Sequence, residues 1–124
     1  MKKRKTEYKK NFNRKRRKFS IRKKIFGTAN VPRLSVFRSL KNISAQIIDD
    51  EQGITILGLS TKSKDIKIDE SMKRTEQSFE LGKQLGKLAK KKNITKIKFD
   101  RSGYLFHGRV KALANGLKKA GLEL

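Results

Sequence analysis

Three short runs of alternating apolar and polar residues constrain the fold of this chain more than any other feature. They cover residues 33–39, 43–50 and 54–61, with the sequences RLSVFRS, ISAQIIDD and ITILGLST. Successive side chains of a β-strand point to opposite faces, so the alternation predicts three strands with one buried face each. The connections are short, and the second contains turn-forming Asp and Gly, so we expect an antiparallel meander. Gly58, inside the third run, predicts a bulge or a close approach by something else.

Residues 72–92 predict a long amphipathic helix. Apolar side chains recur there at helical spacing, and three lysines followed by Asn93 are typical of a helix C-terminus. Gly82 and Gly86 lie four residues apart within this stretch. Because its lysine content excludes a membrane helix, we expect the two glycines to allow close packing of the helix on the sheet.

A fourth strand and a second helix follow. Ile94, Ile97 and Phe99 mark the strand. The last helix is predicted from apolar residues at helical spacing between Val110 and Ala120, and the glycine that follows suits its end.

This order of elements determines a topology. A strand, a helical crossover and a second strand form a right-handed parallel pair, which places the fourth strand beside the first. The fold class is therefore α/β, a mixed four-stranded sheet in the order 3-2-1-4 with two packed helices, which we expect to be of the ribonuclease H-like type. At 124 residues the chain fits one domain, residues 27–124, preceded by a basic arm, residues 1–26.

The arm contains a large share of the positive charge. The chain has 34 Lys and Arg against 11 Asp and Glu, and fourteen of the basic residues lie in residues 1–26, where Glu7 is the single acidic one. A formal net charge of +23 is tolerated beside a polyanion. Aromatic and aliphatic residues are interleaved at helical spacing, but the like charges of residues 14–18 repel one another. We therefore expect the arm to be loose alone and helical where phosphates neutralise it. A merely solubilising tail is the alternative, but it does not require one sign of charge so exclusively.

Composition excludes several classes of protein. There is no apolar run of the ~18 residues needed to span a bilayer, and we expect no secretion signal and no membrane contact. The chain has no Cys, which excludes disulfides, thiolate zinc sites and Cys nucleophiles and fits a reducing intracellular location. Nucleic acid is the common polyanion that remains.

The stretch FDRSGYLFHGRVKALA, residues 99–114, leads from the fourth strand into the last helix. This edge of an open α/β sheet commonly binds ligands, and the free N–H groups at a helix start attract anions. Tyr104, His107 and Arg109 suit stacking on bases and contacts with phosphate or 2′-hydroxyl groups. A core position suits three other residues of the stretch: Phe99, Leu105 and Phe106.

The same stretch contains Asp100, Ser102 and His107, the residue types of a hydrolytic site. Three residues of one short loop rarely converge as nucleophile, base and orienting group, and Asp100 more simply pairs with Arg101 or caps the loop. A metal site lacks further ligands because the chain has one His, and the glycine-rich loop of phosphoryl transfer is absent. We therefore predict no enzyme activity, no metal and no cofactor.

Two blocks of the sequence resemble the bacterial-type large-subunit ribosomal protein eighteen family. They read VPRLSVFRSLKNISAQIIDD and FDRSGYLFHGRVKALANGLKKAGLEL, and the similarity extends from about Arg14 to Leu124. The family usually has R-P-R-L-S-V-F-R-S-N-K-H-I-Y-A-Q in the first block. This chain differs there at Val31, Leu40, Asn42 and Ser44, and in the last block Ser102 and Phe106 replace Gly and Tyr.

The resemblance implies a structural role in the large ribosomal subunit. It implies binding to 5S rRNA, attachment of that RNA to large-subunit rRNA in the central protuberance, and contacts with neighbouring large-subunit proteins, in the cytoplasm or in an organelle. It implies no small-molecule substrate. Matched to the family, the RNA-binding candidates are Arg14, Lys15, Arg16, Arg17, Lys18, Arg22, Lys23, Lys24, Arg33, Arg38, Ser39, Lys41, Arg101, Gly103, Tyr104, His107, Gly108, Arg109 and Lys111.

Two rival classes stay open from the residues alone. A general RNA- or DNA-binding architectural protein fits the charge, although no helix-turn-helix or dimer signature supports it. A small RNA-processing enzyme requires clustered carboxylates that hold metal ions, whereas Asp49 and Asp50 are adjacent on a strand end and point to opposite faces. For an RNA-binding protein we expect the arm to supply affinity through charge and the loop to select RNA shape.

Overall fold

A computed structural model of the chain describes residues 13–17, 25–63, 68 and 71–124. Four of the RNA-binding candidates lie outside these residues: Lys18, Arg22, Lys23 and Lys24. Residues 13–17 are helical and are named α1. The elements that follow are β1 (Arg33–Arg38), β2 (Ile43–Asp49), β3 (Ile54–Ser60), α2 (Arg74–Lys91), β4 (Lys98–Asp100) and α3 (Arg109–Lys119).

The sheet has the predicted topology. Its strand order is β3-β2-β1-β4, with β1–β2 and β2–β3 antiparallel and β1–β4 parallel. Leu34 at the centre of the sheet pairs with Ile47 on β2 and with Phe99 on β4. The mixed α/β architecture and the strand order are therefore confirmed.

Both long helices cover one face of the sheet. The side chains on that face, such as Leu34, Val36 and Ile47, form one buried cluster with Leu85 of α2 and Leu113 of α3. The opposite face presents the alternate residues of the same strands, which are polar or partly exposed. This one-sided core is the physical reason for the alternating pattern of residues 33–61.

The bulge predicted at Gly58 lies two residues earlier. Ile47 pairs with Leu57, but Ile48 pairs with Thr55, so Ile56 is the extra residue on β3. Gly58 itself pairs regularly with Gln46, and a Cβ at Gly58 would meet nothing closer than 3.6 Å. The bulge of this strand is therefore not at Gly58, and the described part of the chain does not approach Gly58 closely.

The glycines of α2 contact α3 and not the sheet. A Cβ at Gly82 would collide with the backbone carbonyl of Leu113, and one at Gly86 with the Ala120 side chain. From α3, Gly116 approaches the carbonyl of Phe79 equally closely. Close packing was predicted correctly but its partner was not, because the spacing of glycines does not identify the surface they face.

The fourth strand is shorter than predicted, because the segment before it completes the end of α2. Asn93 has a left-handed φ of 64°, and the Ile94 N–H returns to the Ala89 carbonyl at 3.0 Å, a Schellman-type helix end. The Ile97 N–H donates to the Glu123 carbonyl at 3.0 Å. Ile94 and Ile97 are buried as expected, but they lie outside β4.

The last helix ends as predicted. Gly121 has a φ of 102°, and the Leu122 N–H donates to the Leu117 carbonyl at 3.1 Å, which repeats the same helix end. In the part of the chain that the structure describes, no helix is long and apolar enough to cross a membrane, and no group of three or more His, Asp or Glu is placed to hold a metal ion.

Candidate nucleic-acid interface

The loop between β4 and α3 is shaped by left-handed backbone conformations. Ser102, Gly103 and Gly108 have φ angles of 55°, 81° and 56°. Asp100 stabilises the turn by accepting a hydrogen bond from the Ser102 N–H at 2.8 Å, and the Ser102 hydroxyl lies 3.0 Å from that of Ser35. A non-glycine residue in this conformation is costly, so these two hydrogen bonds help to hold Ser102 where glycine is usual in the resembling family.

Arg33 fixes the start of this loop. Its Nε and Nη2 donate to the two carboxylate oxygens of Asp50 at 2.9 and 3.1 Å, and its Nη1 donates to Asp100 at 2.9 Å. The Asp50 hydrogen bond is the main reason why the pKa of Arg33 is raised. The Asp100 side chain is 0 % exposed and that of Arg33 is 11 % exposed. Arg33 therefore joins β1, the end of β2 and β4. Its assignment as an RNA contact stays a prediction.

Of the two simpler interpretations of Asp100, capping of the loop is confirmed by its hydrogen bond with the Ser102 N–H, whereas its cation is Arg33 and not Arg101. Arg101 instead donates from Nη1 to the Tyr104 carbonyl at 3.0 Å, across the turn. Asp49 is also structural, since its carboxylate accepts from the Glu51 N–H at 3.0 Å in the β2–β3 turn. The carboxylates at this end of the sheet thus have protein partners, and the clustered arrangement of a metal-dependent nuclease is not formed by the described residues.

The loop inverts the expected positions of its aromatic residues. Tyr104 was expected on the surface, but its side chain is only 5 % exposed. Leu105 and Phe106, expected in the core, are 61 % and 48 % exposed, and Phe106 contacts Phe99 edge-on with ring centroids 6.1 Å apart. The left-handed residues before Tyr104 turn the backbone, so side-chain direction here follows no periodic pattern. Direct stacking of an RNA base on Tyr104 is therefore not supported by this geometry.

Tyr104 instead organises two guanidinium groups. Its hydroxyl accepts hydrogen bonds from the Arg14 side chain (Nη1) at 3.1 Å and from the backbone N–H of Arg38 at 3.2 Å, and it donates to the backbone carbonyl of Arg38 at 3.2 Å. The Cζ atoms of Arg14 and Arg38 lie 4.9 and 5.0 Å from the centre of its ring. Cation–π contact and the hydrogen bonds together hold both cations beside the loop.

The arm helix α1 contacts the loop directly. Besides the Arg14 contact with Tyr104, Arg17 donates from Nε to the Gly103 carbonyl at 2.8 Å. These contacts join residues that are 90 and 86 positions apart in the sequence. The sequence predicted a basic arm and a polar loop as separate parts, and the structure brings residues 13–17 and the loop together.

A cleft of about 680 Å³ lies where α1, the end of β1 and the start of α3 meet. None of the described residues that line it is acidic. Its lining residues are Asn13, Arg14, Arg17, Arg38, Ser39, Leu40, Tyr104, Leu105, His107, Gly108 and Arg109.

Positive charge in this cleft is only partly compensated. Burial, and then repulsion from Arg38 and Arg74, lower the pKa of Arg109. Among the described residues, two buried side-chain nitrogens have no hydrogen-bond partner, Nε of Arg14 and Nη1 of Arg109. A buried N–H without an acceptor costs about 1–3 kcal/mol. An anion in the cleft would relieve the repulsion between the guanidinium groups, and it would supply the missing hydrogen bonds when the two groups turn toward it.

The other candidates are distributed around the cleft. His107 is exposed and lines the cleft. Gly108 also lines it and is the N-cap residue that precedes α3, with no side-chain cap hydrogen bond. Lys15, Arg16, Lys41 and Lys111 are exposed outside the lining, and Ser39 binds its own turn, donating to the Asn42 carbonyl at 3.1 Å. Gly103 is buried and offers its carbonyl to Arg17.

The sequence did not identify Asn13, Leu40 or Leu105 as parts of this site, nor the influence of Arg74 on Arg109. Leu40 is 85 % exposed at the tip of the β1–β2 turn. Its position in the first family-like block was a signal for Leu40, because that block differs from the usual pattern there. For Asn13, Leu105 and Arg74 no sequence signal was present.

Comparison with known proteins agrees with these features. The family described as ribosomal L18 of archaea, bacteria, mitochondria and chloroplast matches residues 8–124. "Large ribosomal subunit protein uL18" of Brachyspira hyodysenteriae is 51% identical over 89% of this chain and 91% of that protein. The proteins of the same name from Lactobacillus johnsonii and Mycoplasmopsis pulmonis are 55% and 53% identical, over 83% and 89% of this chain and 85% and 92% of their own lengths.

The matched region includes the loop, the hairpin of β1 and β2, and the described part of the arm. A match over nearly the whole chain, at about half the residues identical, shows common descent and a common fold. The chain therefore belongs to the L18 family of ribosomal proteins.

Proposed function

We propose that this chain is a structural constituent of the large ribosomal subunit that binds 5S rRNA and helps attach it to large-subunit rRNA in the central protuberance. In this role it lies beside other large-subunit proteins in the cytoplasmic or organellar ribosome, and it catalyses no reaction. Its sheet would be of the ribonuclease H-like type without the metal-binding carboxylates of that enzyme class. The uL18 name of the relatives supports the assignment to the large subunit.

The observation that supports the RNA interface best is the cleft between α1 and the body, by which we mean the four-stranded sheet with α2, α3 and their connecting loops. Arg14, Arg38 and Arg109 meet there with no acidic residue among the described lining, and two of their nitrogens lack acceptors. Guanidinium forks match phosphate oxygens in geometry and charge. A polyanion is therefore the partner that satisfies the site.

Affinity and selectivity come from different parts of the molecule in this proposal. The exposed cations of the arm neutralise phosphates without regard to sequence, which produces a salt slope of about 0.7 to 0.9 log units per phosphate. The cleft has a fixed shape because Tyr104 orients two of its arginines. A fixed arrangement of donors distinguishes one RNA shape from another.

A binding experiment with two variants tests this division. Deletion of residues 1–12 removes much of the arm charge but keeps α1, so we expect weaker binding to 5S rRNA and to a same-length competitor RNA alike. The double variant Arg38→Gln, Arg109→Gln removes two cleft cations, so we expect it to lose most of the preference for 5S rRNA. Dissociation constants for both RNAs at two salt concentrations give the comparison.

The matched control is Lys118→Gln with Lys119→Gln. These lysines are exposed at the other end of α3, and their replacement removes the same two charges. It should lower both affinities slightly and leave their ratio unchanged. The division of roles is wrong if the arm deletion abolishes the preference or if the control changes it as much as the cleft variant.

A further inference from the structure

We propose that the cleft between α1 and the body is a binding site, called the seat below, for one oxyanion held jointly by Arg14 and Arg109. The oxyanion is a phosphodiester group of RNA or a free phosphate ion. We further infer that an occupied seat fixes the arm on the body. The inference deepens the proposed function, on which its RNA part rests, because it names the chemical group that the cleft takes.

The two arginines of α1 that contact the loop use their hydrogen-bond donors unequally. Arg14 donates from one Nη to the Tyr104 hydroxyl, but its buried Nε has no partner among the described residues. Arg17, one helical turn later, directs its Nε to the Gly103 carbonyl at 2.8 Å. Both arginines line the cleft, and the one with an unpaired nitrogen is Arg14, which contacts Tyr104.

The body also contributes a guanidinium group with an unpaired donor. Arg109 begins α3 and lines the same cleft, and its buried Nη1 also has no partner among the described residues. Arg38 adds a third guanidinium, held over the Tyr104 ring. Arg14, Arg38 and Arg109 thus bring three guanidinium groups from separate elements to one cleft. The two unpaired nitrogens are themselves enclosed by protein, so a tetrahedral oxyanion in the cleft would accept from them when the guanidinium groups turn toward it.

The size of the cleft and the chemistry of its donors indicate which anion it takes. A cleft of about 680 Å³ is larger than a single ion needs, so a phosphate group can lie at the arginines while the RNA chain continues to both sides. An acidic side chain of a partner protein is less suited, because a carboxylate presents two oxygens in one plane to donors that come from three elements. Inorganic phosphate, the group without the chain, is the simplest probe.

Binding of the ion is coupled to docking of the arm on the body. Arg14 and Arg17 of α1 contact the loop through Tyr104 and Gly103. An ion that binds Arg14 and Arg109 together adds a link between arm and body. By linkage, whatever binds the docked arrangement more tightly increases its population.

Titration of the full chain with inorganic phosphate tests the seat. We would follow the side-chain Nε–H signals of Arg14 and Arg109 and the Gly103 amide by ¹⁵N NMR, with sodium chloride at matched ionic strength as the reference. The expected result is a saturable change of all three signals with phosphate and a small, non-saturating change with chloride. Identical responses to the two salts would overturn the proposal.

Variants separate geometry from charge. Arg109→Lys keeps the positive charge but loses the planar fork, so the apparent dissociation constant for phosphate should rise about tenfold. Lys118→Gln, which removes a charge at the far end of the same helix, should leave it unchanged. If Arg109→Lys left the dissociation constant unchanged and Lys118→Gln raised it, general charge attraction would explain the binding and the seat would be refuted. The dispersion of the backbone amide signals verifies that each variant is folded.

A last arm of the experiment distinguishes the source of the ion. When saturating 5S rRNA is present, the phosphate response should disappear if a phosphodiester group of the RNA occupies the seat. A phosphate response that persists on the RNA-bound chain would contradict the RNA part and leave a site for the free ion. If the chain does not bind 5S rRNA at all, the proposed function fails, whereas the titration without RNA still decides whether the seat exists.

Discussion

Replacement of Arg33 by Met distinguishes a structural role from an RNA-binding role for this residue. The substitution removes three charge-assisted hydrogen bonds, two to Asp50 and one to Asp100. It leaves the fully buried Asp100 without its cation, although Asp100 keeps the Ser102 N–H and Asp50 keeps the Gly27 N–H at 2.7 Å. Removal of one partner from a buried ion pair costs about 3–5 kcal/mol.

We expect a loss of about 3 kcal/mol, the lower end of that range, because each carboxylate keeps one backbone donor. This is a large part of the stability of a typical domain, about 5–15 kcal/mol, and corresponds to a decrease in Tm of roughly 10 °C at this chain length. Urea unfolding followed by circular dichroism measures it. Lys41→Met, on the exposed β1–β2 turn, is the matched control and should change stability by less than about 0.5 kcal/mol.

The pH dependence of the Arg33 effect follows from the direction of its pKa shift. The hydrogen bond with Asp50 raises the pKa of Arg33 above its usual value. The folded state thus favours the charged form, and this contribution is fully present at any pH below the unfolded-state pKa. The difference in stability between Arg33→Met and the parent chain should therefore show no decrease as pH rises from about 6 to 9.

The result that refutes this reasoning is equal stability of Arg33→Met and the parent chain. If, in addition, the variant bound 5S rRNA much more weakly, Arg33 would be an RNA contact, as the family resemblance implied. Loss of stability with a normal RNA dissociation constant for the folded fraction would support the structural role.

Three further substitutions test the packing. Gly116→Ala places a Cβ against the Phe79 carbonyl and should destabilise the fold by about 1–3 kcal/mol in urea unfolding; no effect would mean that α2 and α3 are not in close contact. Gly121→Ala, at a φ of 102°, should cost about 1 kcal/mol, and an unchanged urea midpoint would argue against the left-handed helix end. Leu40→Asn should change stability by less than about 0.5 kcal/mol because Leu40 is 85 % exposed; a larger loss would show that Leu40 packs on the body.

The secondary structure and topology were largely predictable because their causes are local or general. The alternation of RLSVFRS and its two companions follows from burial of one face, and β1–β4 pairing follows from the handedness of the crossover. The ends of both long helices were predictable from Asn93 and Gly121, which adopt left-handed conformations. The predicted division between an arm at residues 1–26 and a domain at residues 27–124 stays a prediction.

The details of the site were not predictable because they depend on contacts between distant residues. The Arg33–Asp100 pair joins positions 67 apart, and the Arg14–Tyr104 hydrogen bond joins positions 90 apart. No local pattern encodes such pairs. The reversal of Tyr104 and Leu105 has a different cause, since two consecutive left-handed residues, Ser102 and Gly103, set the direction of the backbone that follows.

Equilibrium competition for the full chain between 5S rRNA, a same-length structured RNA and heparin tests the central claim most directly. The claim is that a fixed cleft of arginines, organised by Tyr104, selects RNA shape while the arm supplies general charge neutralisation. At matched ionic strength we predict that 5S rRNA remains bound when either competitor is present in tenfold excess of charge. Such an excess would displace the RNA if general charge attraction alone held it. Displacement in proportion to charge alone, by either competitor, would contradict the account.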